Sequence, residues 1–254
     1  MIRLMLVAER RQLVLARLHD EGKIVARELA DELGISEASI RRDLRDLAAA
    51  GQCQRVYGGA VPVSRALVDY RSRAGVEPES KRRIAARAAQ LIKPGDRVIL
   101  DGGTTTLAVT RALPPDLHAT FITHSPTIAA ALIDHPTVEI LLLGGRIYKH
   151  SAVACGAAAA EAARAVNADL FLLGVTGVHA QHGLTTGDAE EAAMKRALAR
   201  QAADTYVLAS SEKIGAVSPH KVLELGETTA ILTDARDDVL LALRDAAPAI
   251  ITCD

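Results

Sequence analysis

Two short stretches hold residue types at a spacing suited to binding a polyanion or an anion. In "SEASIRRDL", Ser36 to Leu44, two adjacent arginines follow a serine start and sit among apolar residues at helical spacing. Guanidiniums presented in this way contact the phosphates and base edges of a duplex. In "LDGGTTTLA", 100 to 108, an apolar run passes through two glycines into three threonines. Backbone amides at a helix start, with hydroxyls beside them, form an anion site, and the glycines permit close approach. The alternative is that Thr104 to Thr106 only cap a helix. The stretch is neither a P-loop, lacking the Gly-Lys-Thr ending, nor the GxGxxG dinucleotide fingerprint.

Other candidates are weaker. Ser210 to Lys213 spells S-x-x-K, the nucleophile motif of penicillin-binding enzymes, but the companion S-D-N and K-T-G motifs are missing from the chain. His179 and His182 in "GVHAQHG" offer two metal ligands with no carboxylate or cysteine cluster beside them, so an ordinary loop is expected and no metal site. Asp188, Glu190 and Glu191 open a helical run, where acidic side chains favour the dipole, so a solvated N-terminus is the default.

The elements that must position these groups follow from periodicity. "ERRQLVLARLHDEG" is a helix stopped by Gly22, "VARELADELG" a short amphipathic helix stopped by Gly34, and Ser36 caps a third helix. "QCQRVYGGAVPV" reads as two short strands joined at Gly58-Gly59, a hairpin dipeptide. Helix, helix, turn, helix and wing is the winged helix-turn-helix order. On the third helix Ile40, Leu44 and Leu47 share one side, leaving Ala38, Ser39, Arg42, Arg45 and Asp46 facing away and Arg41 on the flank. Such a helix can enter a major groove, with Ser39 and Arg42 at base edges, Arg41 and Arg45 on phosphates, and Arg55 and Tyr57 of the wing on the backbone. A solvated face on a protein-interaction module is the alternative, and the turn and wing in the right order favour DNA.

Residues 64 to 80 lose the pattern and read as a linker. Beyond them seven apolar strand candidates, at 96–101, 118–123, 138–145, 169–175, 204–210, 229–234 and 249–253, alternate with alanine-rich helices at 104–113, 125–134, 157–166 and 189–203. This predicts a mostly parallel sheet covered on both faces. The strand ends converge on one crevice, so "THS" (Thr123, His124, Ser125), "LGGR" with Gly144 and Gly145, "GVTGV" and "SSEKIG" can share a pocket with Gly103 to Thr106.

The bulk numbers bound the reading. The chain has 254 residues, 49% hydrophobic and 24% charged, with a formal net charge of -1. Residues 1 to 60 hold ten basic residues against nine acidic ones, so nucleic-acid binding must rest on concentrated, local charge. The opening "MIRLMLVAERR" is too short in apolar run for a signal peptide and no segment approaches a membrane span, so a cytoplasmic protein is expected. Three scattered cysteines fit reduced thiols. Aromatics at 2% disfavour a surface that stacks unpaired bases.

The first segment resembles the DNA-binding region of the DeoR family of bacterial transcriptional regulators. Arg10, Val14 and Leu18, then Ser36, Ser39, Ile40, Arg41, Arg42, Asp43 and Leu44, and "RVYGGAV" at 55–61 carry the likeness. Ser39 stands where the family has threonine. The resemblance continues through "ESKRRIA", "LDGGTTT", "LLLGG", "DLFLLGVTGV" and "KIG". It implies a C-terminal effector domain similar in fold to ribose-5-phosphate isomerase and glucosamine-6-phosphate deaminase, which senses a phosphorylated sugar or related metabolite through Asp101 to Thr106 and Lys213. It also admits Asp188 or Glu191 to the pocket. His124, where asparagine is usual, and Ser210 and Glu212, where aspartate and serine are usual, depart from the pattern.

The combined expectation is a winged helix-turn-helix domain at 1–63, a linker at 64–80 and an α/β effector and oligomerisation domain at 81–254. It is a cofactor-free repressor of a carbohydrate operon, acting as a dimer or tetramer on symmetric half-sites. Ser36, Ala38, Ser39, Arg41, Arg42, Arg45, Arg55, Tyr57, Gly58 and Gly59 are the expected DNA contacts. The competing reading is a sugar-phosphate isomerase with an added module. Isomerisation needs a carboxylate base near the sugar, and the loop "GVTGVHAQHG" lacks the acids that isomerases of this fold carry there.

Overall fold

The computed structural model describes residues 5–253. The first four residues, where the apolar opening run begins, and Asp254 lie outside the described residues. Three helices, Val7–Glu21, Ala26–Leu33 and Glu37–Ala49, pack around Val14, Leu18, Leu29, Ile40, Leu44 and Leu47. Gly22 and Gly34 stop the first two in left-handed conformations, and Ser36 caps the third by accepting from the Ser39 amide at 3.3 Å.

The wing differs from expectation by one residue. Strands Gln54–Val56 and Gly59–Val61 pair antiparallel with Val56 opposite Gly59, so the two-residue turn is Tyr57-Gly58, with Gly58 at φ +81°. Gly59 instead belongs to the strand, where Ile24–Val25 adds a third, unexpected partner. A Cβ on Gly59 would lie 1.7 Å from the Ile24 carbonyl oxygen, so close backbone pairing dictates glycine there.

All seven strands expected in the second half form one parallel sheet, in the order 250–252, 230–233, 202–208, 168–174, 97–100, 120–123, 139–142. Alternate residues feed two cores. Val98, Leu100 and Phe121 meet helices Pro78–Ala89, Thr104–Ala112 and Pro126–Leu132, while Ile99, Ile122 and Phe171 meet helices Ala157–Arg164, Ala189–Ala199 and Asp237–Arg244. Ala202 ends up in a strand, shortening the helix expected to run to residue 203.

Two antiparallel pieces escaped the periodic reading because their strands are only three or four residues long. They are the hairpin Arg146–Tyr148 with Val153–Cys155, and a sheet of Gly177–His179, Gly183–Thr186 and His220–Leu223. The expected linker is ordered: a 3-10 turn, Arg65–Leu67, a helical turn, Tyr70–Arg73, and then Pro78, which opens a helix.

Candidate functional site

On the third helix the apolar side is buried as its spacing requires, and Asp43 is buried with it at 2% exposure. A carboxylate leaves water only if it is paired. Arg10 and Arg11 of the first helix both donate to Asp43, and Arg11 also reaches Asp46. Asp43 is therefore the polar bolt between the helices, and Asp46 is engaged on the flank instead of facing free solvent. Arg41 donates to Glu37 at 2.8 Å. Arg42 and Arg45 are exposed and, among the described residues, have no ion pair. Ala38 is exposed at the leading end, where the Ser39 and Ser36 hydroxyls bond each other at 2.9 Å. On the wing Arg55 is exposed and Tyr57 fully so.

In the parallel sheet the chain leaves strand 97–100 toward one edge and strand 168–174 toward the other, although these two strands are neighbours. The connections diverge there, which opens a crevice at the carboxyl ends of the strands. A cavity sits at that point, lined by Gly102 to Thr106, Gly174 to Thr176, Thr186, Glu191, Lys195, Glu212 and Lys213. Gly102 cannot carry a side chain, since a Cβ would meet Val153 Cγ1 at 2.0 Å.

The threonines do not cap. Gly103, at φ +141°, is the N-cap and supplies no side chain, while the Thr106 hydroxyl donates to the Gly103 carbonyl at 2.9 Å. The first-turn amides of Thr104 to Thr106 thus have no side-chain acceptor at a helix start, the condition for holding an anion. Beside them Thr105 Oγ1 is buried with no partner, although Thr105 is only 3% exposed. Such a group costs free energy unless something fills the cavity.

The charges agree. Lys213 is buried and, among the described residues, has no ion pair or hydrogen bond from its ammonium. Burial pushes it down to about 8, against Glu212, and the nearby Lys81, Arg73 and Lys195 push the same way. Lys195, 2% exposed, is held by Asp101 and lies 3.3 Å from Glu191. Its own burial opposes ionisation, but the two carboxylates outweigh that and raise its pKa. Asp101 is the mirror case: burial opposes its charge, Lys195 and His124 outweigh it, and the carboxyl is held at about 2. The Gly174 amide also donates to Asp101, at 2.9 Å.

Of the expected effector residues, Gly103, Thr104, Thr105, Thr106 and Lys213 meet in the cavity wall. The others do not line it. Asp101 lies beneath it. Thr123, His124 and Ser125 are fully buried one strand over, where the His124 ring bonds Asp101 at 2.9 Å and the Ala154 carbonyl at 2.8 Å, and Ser125 donates to the Ala152 carbonyl at 3.1 Å. Gly144 and Gly145 are exposed on the run to the 146–155 hairpin. Convergence of strand ends does not carry every loop to one pocket: the loops after 97–100, 168–174 and 202–208 line it, and those after 120–123 and 139–142 do not.

Glu191, expected by default on a solvated helix start, is instead 4% exposed and accepts from Ser151 at 3.2 Å and Thr186 at 3.1 Å. Asp188 caps that helix through the Glu190 and Glu191 amides. Missed altogether were Lys195, Thr186, the strap residues Ala66, Arg73 and Val76, and Lys81 on the helix that follows; Thr176 lies in the "GVTGV" run expected to share the pocket. Lys195 had a signal, a cation four residues after Glu191 in an alanine-rich helix. Ser210 donates to Glu212 at 2.7 Å, away from the Lys213 ammonium, so the S-x-x-K pair is not assembled as nucleophile and base. The His179 and His182 rings lie 4.7 Å apart, tilted by 41°, and no metal-holding cluster of His, Cys, Asp or Glu is found among the described residues.

Comparison with known proteins gives the same two halves. Residues 10–66 match the DeoR-like helix-turn-helix domain and residues 76–235 the DeoR C terminal sensor domain. The HTH-type transcriptional regulator GlpR of Haloferax volcanii is 34% identical over 236 residues, 92% of each chain. The HTH-type transcriptional repressor GlcR of Bacillus subtilis is 33% identical over 228 residues, 89% of this chain and 88% of that one. Among solved structures, the ribose 5-phosphate isomerase A of Methanocaldococcus jannaschii aligns over 54% of either chain with 17% identity and a TM-score of 0.41.

Proposed function

The chain belongs to the DeoR family of DNA-binding transcriptional regulators, and from that premise we propose that it represses a carbohydrate-metabolism operon and is released by a phosphorylated sugar or related metabolite. Operator DNA and a small-molecule effector are its partners. The family comprises regulators, not enzymes, which removes the isomerase alternative.

We assign DNA binding to 1–63 and effector sensing to 81–254, joined by 64–80. The observation that carries the effector reading is the cleft at the switch point, where a helix start without a cap, an orphaned Thr105 hydroxyl and the unpaired Lys213 face one cavity. It is a site built for an anion and left unsatisfied by the protein alone. The DNA reading is supported by the free guanidiniums of Arg42 and Arg45, with Ser36, Ala38, Ser39, Arg41, Arg55, Tyr57, Gly58 and Gly59 around them. Arg42 is assigned to base edges and Arg41, already tethered by Glu37, to phosphate.

Paired heads on symmetric half-sites imply at least a dimer assembled through the C-terminal domain; sedimentation equilibrium at working concentration distinguishes this from a monomer. A cytoplasmic location fits a DNA-binding regulator, and among the described residues no helix is long and apolar enough to cross a membrane.

Thermal-shift screening of phosphorylated sugars and polyols tests the effector, because a ligand raises stability by mass action. On the DNA side, Arg42→Ala lowers affinity for the selected operator by ~1–3 kcal/mol while sparing random duplex. Equal losses on both would assign Arg42 to phosphate.

A further inference from the structure

The segment between the two folded units is part of the cleft. Val63, two residues past the last wing strand, pairs with Val217 in a parallel bridge, and the Ser64 hydroxyl donates to the Thr176 carbonyl while the rest of Thr176 lines the cavity. Leu67 packs at Gly187, where a Cβ would meet its Cδ2 at 2.8 Å. The Tyr70 amide donates to the His150 carbonyl at 2.8 Å, and Arg73 reaches the same carbonyl at 3.3 Å. Ala66, Arg73 and Val76 of this strap then join the cavity wall.

Arg73 is the member with unspent binding capacity. Its Nε is buried with no partner, and its backbone carbonyl accepts from the Lys81 ammonium, which turns a second cation of the cavity wall toward the strap. Arg73, Lys81, Lys195 and Lys213 together face one cavity with two wall carboxylates, Glu191 and Glu212; Glu191 and the Asp101 beneath are taken by Lys195, and Glu212 acts on Lys213 and Lys81 without pairing either, so cations remain in excess. Like charges gathered around a cavity repel until an anion occupies it. A guanidinium is also the side chain that grips a phosphate through two parallel donors.

We propose that Arg73, carried by the interdomain strap, is an effector-binding residue, and that an anion held between Arg73, Lys213 and the Thr104–Thr106 amides fixes residues 63–77 against the cleft. This rests on the reading of the cleft as an anion site. The strap runs directly from wing strand Gly59–Val61, so occupancy of the site constrains the chain at the base of the DNA head. The differential contact that a ligand needs in order to shift a conformational equilibrium is the Arg73 grip.

Hydrogen exchange on the full-length protein, with inorganic phosphate as the probe and chloride matching the ionic strength, tests both layers. Phosphate should slow exchange of the 104–106 amides and of 63–77 together. In Arg73→Gln the first protection should persist at raised phosphate and the second vanish, with phosphate affinity lowered about tenfold or more, as for a lost hydrogen bond to a charged group. Protection of 104–106 with 63–77 unchanged, and Arg73→Gln binding within twofold of wild type, would overturn the strap's role and leave the anion site standing. Protection at neither place would overturn the anion site and this inference with it. Should Arg73→Gln not fold, the wild-type exchange pattern alone decides between these outcomes.

Discussion

Lys213 and Asp101 show how one cleft treats opposite charges differently. Lys213 is buried without a counter-ion and sits at about 8, well below the ordinary lysine value of 10.5. In the folded protein it therefore releases its proton first, and stability of the ligand-free protein rises with pH between about 8 and 10.5. Anion binding needs the charged form, so affinity for a phosphorylated ligand falls as pH climbs through about 8. Isothermal titration across that range checks this, and Lys213→Met should flatten the alkaline limb. Asp101, held at about 2, contributes stability present above the ordinary carboxylate value of 3.8 and lost as pH falls through about 2. Asp101→Asn removes half of a buried ion pair and leaves Lys195 to Glu191 alone, at a cost of about 3–5 kcal/mol in urea unfolding. His124 belongs to this same buried network. The His124 ring holds Asp101 and does not line the cavity.

At the scale of elements, the wing separates two glycines that look alike in sequence. Gly59→Ala would drive a methyl group into the Ile24 carbonyl and should unfold the winged domain or separate its strands. Gly58→Ala meets nothing within 4 Å and carries only the left-handed backbone penalty, about 1–2 kcal/mol. Comparing the two melting temperatures checks the register of the hairpin. The dipeptide announced a turn but not its phase, because phase depends on Ile24–Val25 as a third strand, too short to show any period. Long strands such as 168–174 were legible because two covered faces demand a continuous apolar run. The 146–155 hairpin was not, for its outer strand is exposed or partly exposed throughout. The glycine–threonine loop was legible only as a candidate, since its composition suits an anion site and a capped helix start alike; the Gly103 N-cap, with no side chain to offer, is what separates the two. The cations opposite the loop were not legible. Arg73 looks like a surface charge in a linker and Lys81 stands just past its end, and only the docking of that linker brings both to the cavity.

For the whole molecule, the sheet topology and the strap put the cleft and the winged domain on one continuous path of chain. Divergent connections at strands 97–100 and 168–174 open the cleft, and the segment closing its side leads into the wing. The recognition helix is held by Arg10 and Arg11 on Asp43, so it moves with its domain as a rigid reader. The central claim is that an anion in this cleft governs whether the head stays on DNA. Fluorescence anisotropy of a selected operator bound to the protein, titrated with phosphorylated sugars and polyols, tests it most directly when wild type and Thr105→Ala are run side by side. Among the described residues the Thr105 hydroxyl has no partner, so its loss should leave folding and operator affinity intact. At least one compound should release the wild type, and Thr105→Ala should need about tenfold more of it or stay bound. Release of Thr105→Ala at wild-type concentrations would contradict the claim.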